Sequence, residues 1–320
     1  MLEAEHHLKR ALDTALAQYA ETMGEAFPVL PVLDVVVDPE LWALAEMDGK
    51  VFRIHASSGS VDSISALWTS AFLDDNFYAG FGKEICVNAA TMTHVSLVWL
   101  MLHEMHHYQM GHFENLTQEQ SSRTSTPKHR ALLERIEKSS DTFVKDLIFE
   151  MQADHDATEM LLDAYSSNEW ASLRVRVAAI SAMMMLIERT DASSHSPNTT
   201  HPKAATRIFQ LLGHLIDMPL LSAHLGVVDS CECMSSTEKF SKKKEQEHFV
   251  AQVVVPAFFD TVSLAKTATA QTIIDDLGSV TEFFHDIQFA KLNQGTEAVK
   301  LLTTGAQQWR ELVASGVKLT

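Results

Sequence analysis

The chain has 320 residues, 46% of them hydrophobic and 21% charged, which is enough for one large or two ordinary domains with a substantial core. Its 42 acidic residues outnumber 25 basic ones, giving a formal net charge of −17. That balance speaks against a nucleic-acid binder, which needs a basic face to displace phosphate counterions, and against attraction to an anionic membrane surface.

Residues 1–26 read as an amphipathic helix. The first residues, Met1-Leu2-Glu3-Ala4-Glu5-His6-His7, lack the basic-then-apolar order of a secretion signal. Residues 28–37 are β-branched and proline-flanked, so they read as a strand. Val51–His55 is a second strand candidate. Phe77–Asn88 is a third, interrupted by Gly80 and Gly82. A serine-rich segment before Ala66 starts a short helix between them. From about residue 91 the pattern is helical: 91–113, 129–165, 168–190, 202–218, 244–266 and 280–315, the last broken near Gly295. Three polar stretches, Thr117–Pro127, Asp191–Thr200 and Ser235–Glu247, read as mobile loops. Apolar runs such as Val95–Leu102 and Phe249–Phe259 fall short of the ~20 residues of a spanning helix, so no membrane segment is expected. Cys86, Cys231 and Cys233 form neither a zinc-ribbon pair nor a thioredoxin-type pair. Reduced thiols and a cytoplasmic location are therefore expected.

His103, Glu104 and His107 match the pattern His-Glu-x-x-His. Helix positions four apart share a face, so the two imidazoles can bind one zinc ion. Glu104, next to the first of them, can reach a water on that ion and act as general base. The pattern is short enough to arise by chance, so its context decides. It follows Val95-Ser96-Leu97-Val98-Trp99-Leu100-Met101-Leu102, apolar around most of a helix and therefore buried. Polar side chains at the end of such a helix need partners. His106 points about 100° away from the ligand face.

A catalytic zinc site takes a third protein ligand and keeps one position open. Glu150, Asp154 and Ala157 lie at i, i+4 and i+7 of a strongly helical stretch and share one face. Glu150 can supply a carboxylate ligand. Asp154 can accept a hydrogen bond from the far nitrogen of a ligand histidine and fix its tautomer. His155 falls off that face. Met183-Met184-Met185 reads as core filling, and Lys242-Lys243-Lys244 as a solvated loop or helix start.

His103-Glu104-x-x-His107 with His112 five residues on, Glu150-x-x-x-Asp154, and Thr200-His201-Pro202…Arg207-Ile208 together resemble the gluzincin metallopeptidases. The likeness is closest to the group of CAAX prenyl proteases, bacterial heat-shock membrane proteases and their soluble relatives, and covers about residues 91–210. It implies His103, His107 and Glu150 as zinc ligands, Glu104 as base and Asp154 behind a ligand. It places His201 near the active site, to orient substrate or occupy the open zinc position in a resting state. Arg207 would pair with acids of the ligand helices, and His112 matches the pattern without a role that can be derived. Most of that group carries membrane helices or an export signal, which this chain is expected to lack. The soluble form and Gly111-His112 resemble instead the Lit-type phage-exclusion peptidases, which are cytoplasmic and act on a folded host protein.

The expected fold is α+β and predominantly α-helical. A small N-terminal part contains the strands, with an antiparallel edge strand beside the metal helix, and a helical body follows. Residues 1–215 would form the catalytic domain, and 216–320 a helical region packed on it. The strand Phe77–Asn88 ends just before the metal helix, which makes Phe81–Val87 the expected substrate-binding edge. The expected function is zinc-dependent hydrolysis of peptide bonds in a protein or peptide substrate. The alternative is a non-catalytic zinc-binding or pseudo-peptidase interaction protein. The intact Glu104 speaks against it, because a purely structural zinc has no use for that residue.

Overall fold

The computed structural model of the protein describes residues 2–111, 140–193, 201–225, 236–290 and 299–315. His112, Thr117–Pro127, Thr200, Cys231 and Cys233 lie outside them. The chain is α+β and predominantly helical, with one three-stranded sheet near its N-terminus.

Helix α1 (Leu2–Met23) buries Leu8, Ala11, Leu12, Ala15 and Tyr19 along one stripe. Strands β1 (Val32–Val36), β2 (Ala43–Asp48) and β3 (Val51–Ser57) follow, in the sheet order β1-β3-β2. β3 runs parallel to β1 and antiparallel to β2. The β2–β3 hairpin turns at Gly49-Lys50, where Gly49 takes a φ of 63° that a side chain would resist. β2 was not expected: Ala-Leu-Ala-Glu-Met-Asp has helical propensity, and pairing with β3 overrides it.

Helix α2 (Ser58–Leu73) starts where Ser57 caps the N–H of Ser60. Phe77–Asn88 is not a strand. Asp75–Ile85 forms a helix, α3, with a π-helical stretch at Tyr78–Gly82. The reason is aromatic packing at i, i+4: Phe77 and Phe81 stack at 5.0 Å, and Trp68 and Phe72 of α2 meet Phe77 at 6.2 and 5.8 Å. Arg174 donates to the carbonyl of Gly80 at 2.6 Å and lies 5.6 Å over the Phe81 ring. Phe81–Val87 is therefore no substrate-binding edge.

An 80° bend leads into α4 (Ala89–Gln109), capped by Asn88 through the N–H of Thr91. α4 is the centre of the molecule. It packs against α1, α2, the sheet, α5 (Ser140–Leu162) and α6 (Trp170–Ser193). Leu97 through Met105 are buried without interruption, as expected of a helix apolar all round. Its end is fixed by Gly111, whose left-handed φ of 67° stops the helix just past the histidines, and by Tyr108 against Phe52 at 4.8 Å.

α6 buries Met183, Met184 and Met185 in the core. Asp191, expected in a loop, closes the last turn of α6 and is buried. α7 (Ala204–Leu225) packs on α6, and Ser236–Phe249, also expected as a loop, is a helix, α8, that packs on α7. A π-helical stretch at Val250–Val254 joins α8 to α9 (Val255–Thr267). α10 (Gln271–Leu277), α11 (Val280–Ala290) and α12 (Thr304–Ala314) complete the described chain. α12 lies against α7 closely enough that a Cβ on Gly305 would meet the Ala205 carbonyl oxygen at 2.7 Å. One buried apolar cluster runs from Ala4 to Ala306. Among the described residues, two stretches, Trp170–Ala192 and Ser241–Thr267, are long and apolar enough by length and composition to cross a membrane; the most apolar 18-residue window of the first is 78% buried inside this fold, and that of the second 50%.

Candidate metal centre

α4, α5, the end of α6 and the segment before α7 bring the expected site residues together. His103 and His107 stand one turn apart on α4, with their Nε2 atoms 3.1 Å from each other. Glu150 of α5 reaches both: Oε2 lies 3.3 Å from His103 Nε2, and Oε1 lies 3.6 Å from His107 Nε2. Donors on a tetrahedral zinc, with bonds of about 2.1 Å, sit about 3.4 Å apart. The spacing fits. Glu150 Oε2 is also buried without a hydrogen-bond partner, an arrangement that costs energy unless a cation faces it.

The charges point the same way. Glu104, Glu150, Asp154 and Asp191 gather around the single guanidinium of Arg207 and three imidazoles. Burial opposes charge on His103, yet the facing carboxylates of Asp154 and Glu150 outweigh it and raise the pKa to about 10. Burial likewise pushes Glu150 up, but His201, His107 and His103 hold it well below the usual carboxylate range. The cluster takes up positive charge where a metal would sit.

Behind His103, Nδ1 faces Asp154 Oδ1 at 3.1 Å. Arg207 of α7 grips both oxygens of that carboxylate, Nε to Oδ2 at 2.5 Å and Nη2 to Oδ1 at 2.6 Å. The guanidinium is fully buried and lies 5.7 Å over Trp99, whose Nε1 donates to Thr158 at 3.3 Å. Burial opposes charge on Arg207 and raises the pKa of Asp154; their pairing reverses both.

Glu104 is buried, and burial raises its pKa to about 7 against the pull of His103. It accepts a hydrogen bond from the backbone N–H of Ala45 in β2. The edge strand beside α4 is therefore β2. His201 presents Nε2 to Glu150 Oε2 at 3.4 Å, while its Nδ1 lies 2.9 Å from Asp191 Oδ2. His201 stands outside the set His103, His107 and Glu150, whose donor atoms all lie within 4.8 Å of one another. His106 is buried off the ligand face, where burial and the charge of His103 lower its pKa to about 4.

Sequence reasoning missed Asp191 and Ala45. A lone aspartate ending an apolar helix ten residues before His201 was the available signal for the first. Nothing in the sequence pointed to the second.

Comparison with curated proteins and with solved structures finds no match. The model of the peptidase U49 family matches residues 66–227, just over half of the chain and all of the centre except Ala45. The chain belongs to the peptidase U49 family.

Proposed function

We propose that this peptidase is a zinc metallopeptidase, with His103, His107 and Glu150 as the zinc ligands and Glu104 as the general base. One observation carries the proposal: three donor atoms converge at zinc-like spacing beside a buried glutamate adjacent to the first ligand. A zinc ion held there would supply a Lewis acid that polarises the scissile carbonyl and acidifies a water.

The chain's own residues do the rest. Glu104 accepts the proton of the attacking water and hands it to the leaving amine. Asp154 orients His103 through Nδ1 and is itself held by Arg207. Asp191 fixes His201 so that its Nε2 faces the centre, where an N–H can steady charge building on the carbonyl oxygen. The N–H of Ala45 points out of the sheet edge towards Glu104. In an antiparallel pair, alternate residues share that direction, so Ala43 and Met47 offer free-edge groups to an extended substrate.

The likeness to gluzincins supports this assignment of roles. The likeness to Lit-type peptidases supports a cytoplasmic enzyme that cleaves a specific protein. Glu104→Gln should keep its zinc and lose turnover. The test compares new protein N-termini across the native host's proteome for wild type and Glu104→Gln. Unchanged cleavage by the variant, or full activity of zinc-free protein, refutes the proposal.

A further inference from the structure

α5 carries a second cluster that the centre above does not use. His155 and Glu159 stand one turn apart on a face next to that of Glu150 and Asp154, and His214 of α7 meets them. His155 Nε2 lies 3.3 Å from Glu159 Oε1, and His214 Nδ1 lies 3.8 Å from the same oxygen. The two rings sit edge to face, 5.4 Å apart at 88°. One donor atom from each of the three residues lies within 4.8 Å of the other two. His155 Nε2 is buried, and its approach to Glu159 lacks the geometry of a hydrogen bond. A buried polar atom in that state is unfavourable, and a bound ion would satisfy it.

We propose that His155, Glu159 and His214 form a second metal site, for a divalent ion of the zinc class. Two imidazoles and one carboxylate select such an ion over magnesium or calcium, which prefer all-oxygen shells. The contacts of 3.3 and 3.8 Å bracket the roughly 3.4 Å between neighbouring donors on a tetrahedral zinc. Glu159 is 47% exposed, so its carboxylate can swing to close the remaining gap, and water can fill the open position.

The site shares no ligand with the first, so it does not depend on the function proposed for that centre. It joins the same two helices as the Asp154–Arg207 pair, with His214 two turns beyond Arg207 on α7. A bound ion would clamp the helix that carries Glu150 and Asp154.

The test is zinc titration of the metal-free full chain, with stoichiometry read by native mass spectrometry. Wild type should bind two zinc ions. Glu159→Gln and His214→Gln should each bind one, with affinity at the second site down at least ~10–100-fold, the loss seen when even a residue behind a ligand is removed. A His103→Asn/His107→Asn variant should keep the second ion. Glu159 is half exposed, so its variant tests the site without disturbing the core. The proposal is overturned if wild type binds a single zinc that the His103→Asn/His107→Asn variant loses. It is overturned equally if Glu159→Gln and His214→Gln still bind two. A single zinc retained in the double variant and lost in His214→Gln would sink the zinc assignment of the first centre while supporting the second.

Discussion

Asp154→Asn tests the polar chain that runs from Arg207 to His103, the proposed metal ligand. Arg207 is fully buried, and two of its nitrogens bond to the two carboxylate oxygens at 2.5 and 2.6 Å. An amide there accepts with one atom only and turns an NH2 on a donor. The buried guanidinium loses the one carboxylate that is hydrogen-bonded to it, and breaking such a pair costs about 3–5 kcal/mol. That is a large share of a typical total stability of about 5–15 kcal/mol. A second effect falls on His103, whose Nδ1 loses its carboxylate neighbour. Metal affinity should drop ~10–100-fold, or about 1.4–2.7 kcal/mol. The two effects separate experimentally. Denaturant unfolding of chelated protein reads the first, and competition with a chromophoric chelator reads the second. Asp154→Leu/Arg207→Met, which removes both charges, should be less destabilised than the sum of its single variants. The reasoning fails if Asp154→Asn unfolds within ~0.5 kcal/mol of wild type and binds zinc equally well.

Met47→Pro removes an outward N–H from the free edge of β2 and leaves the β3 ladder intact. Its KM for a peptide spanning the natural cleavage site should rise while its zinc content stays constant; unaltered KM would remove β2 as a substrate edge. Asp191→Asn should lower kcat by about 10²-fold or more with zinc retained, because it frees the imidazole that Asp191 orients. If steady-state kinetics show no change in kcat, His201 has no part in turnover. Gly305→Ala forces a methyl group into the Ala205 carbonyl and should cost about 1–3 kcal/mol in a thermal or denaturant melt. A neutral result would mean that α12 can move away from α7.

The helix that carries the His-Glu-x-x-His pattern was legible because two signals coincide there: an apolar run around the whole helix, and an i, i+4 histidine pair at its end. Glu150 and Asp154 followed from the same spacing rule, since a helix turns sequence distance into a shared face. Phe77–Asn88 misled because its aromatic residues fit a strand locally, with Gly80 and Gly82 read as interruptions of it. Phe77 and Phe81 also satisfy i, i+4, and burial against Trp68 and Phe72 decides between the two. β2 was invisible because its residues favour helix and only β3 makes them a strand. Asp191 was hidden by the serines after it, which suggested a loop. The His155–His214 pairing joins residues 59 apart through the packing of α5 on α7, and no local pattern encodes that.

Placing the histidine motif on a helix packed against α1, α2, the sheet, α5 and α6 has a thermodynamic consequence. The backbone amides of α4 can exchange with solvent only through large openings of the fold, so they should be among the slowest in the molecule. Formation of the centre and global folding then become one cooperative event. Heat or denaturant should extinguish metal binding and tertiary structure along a single curve, with no population that is folded but has lost its centre. Damage anywhere in the bundle would be felt as a smaller fraction of competent molecules, each fully formed, and not as a uniformly slower enzyme.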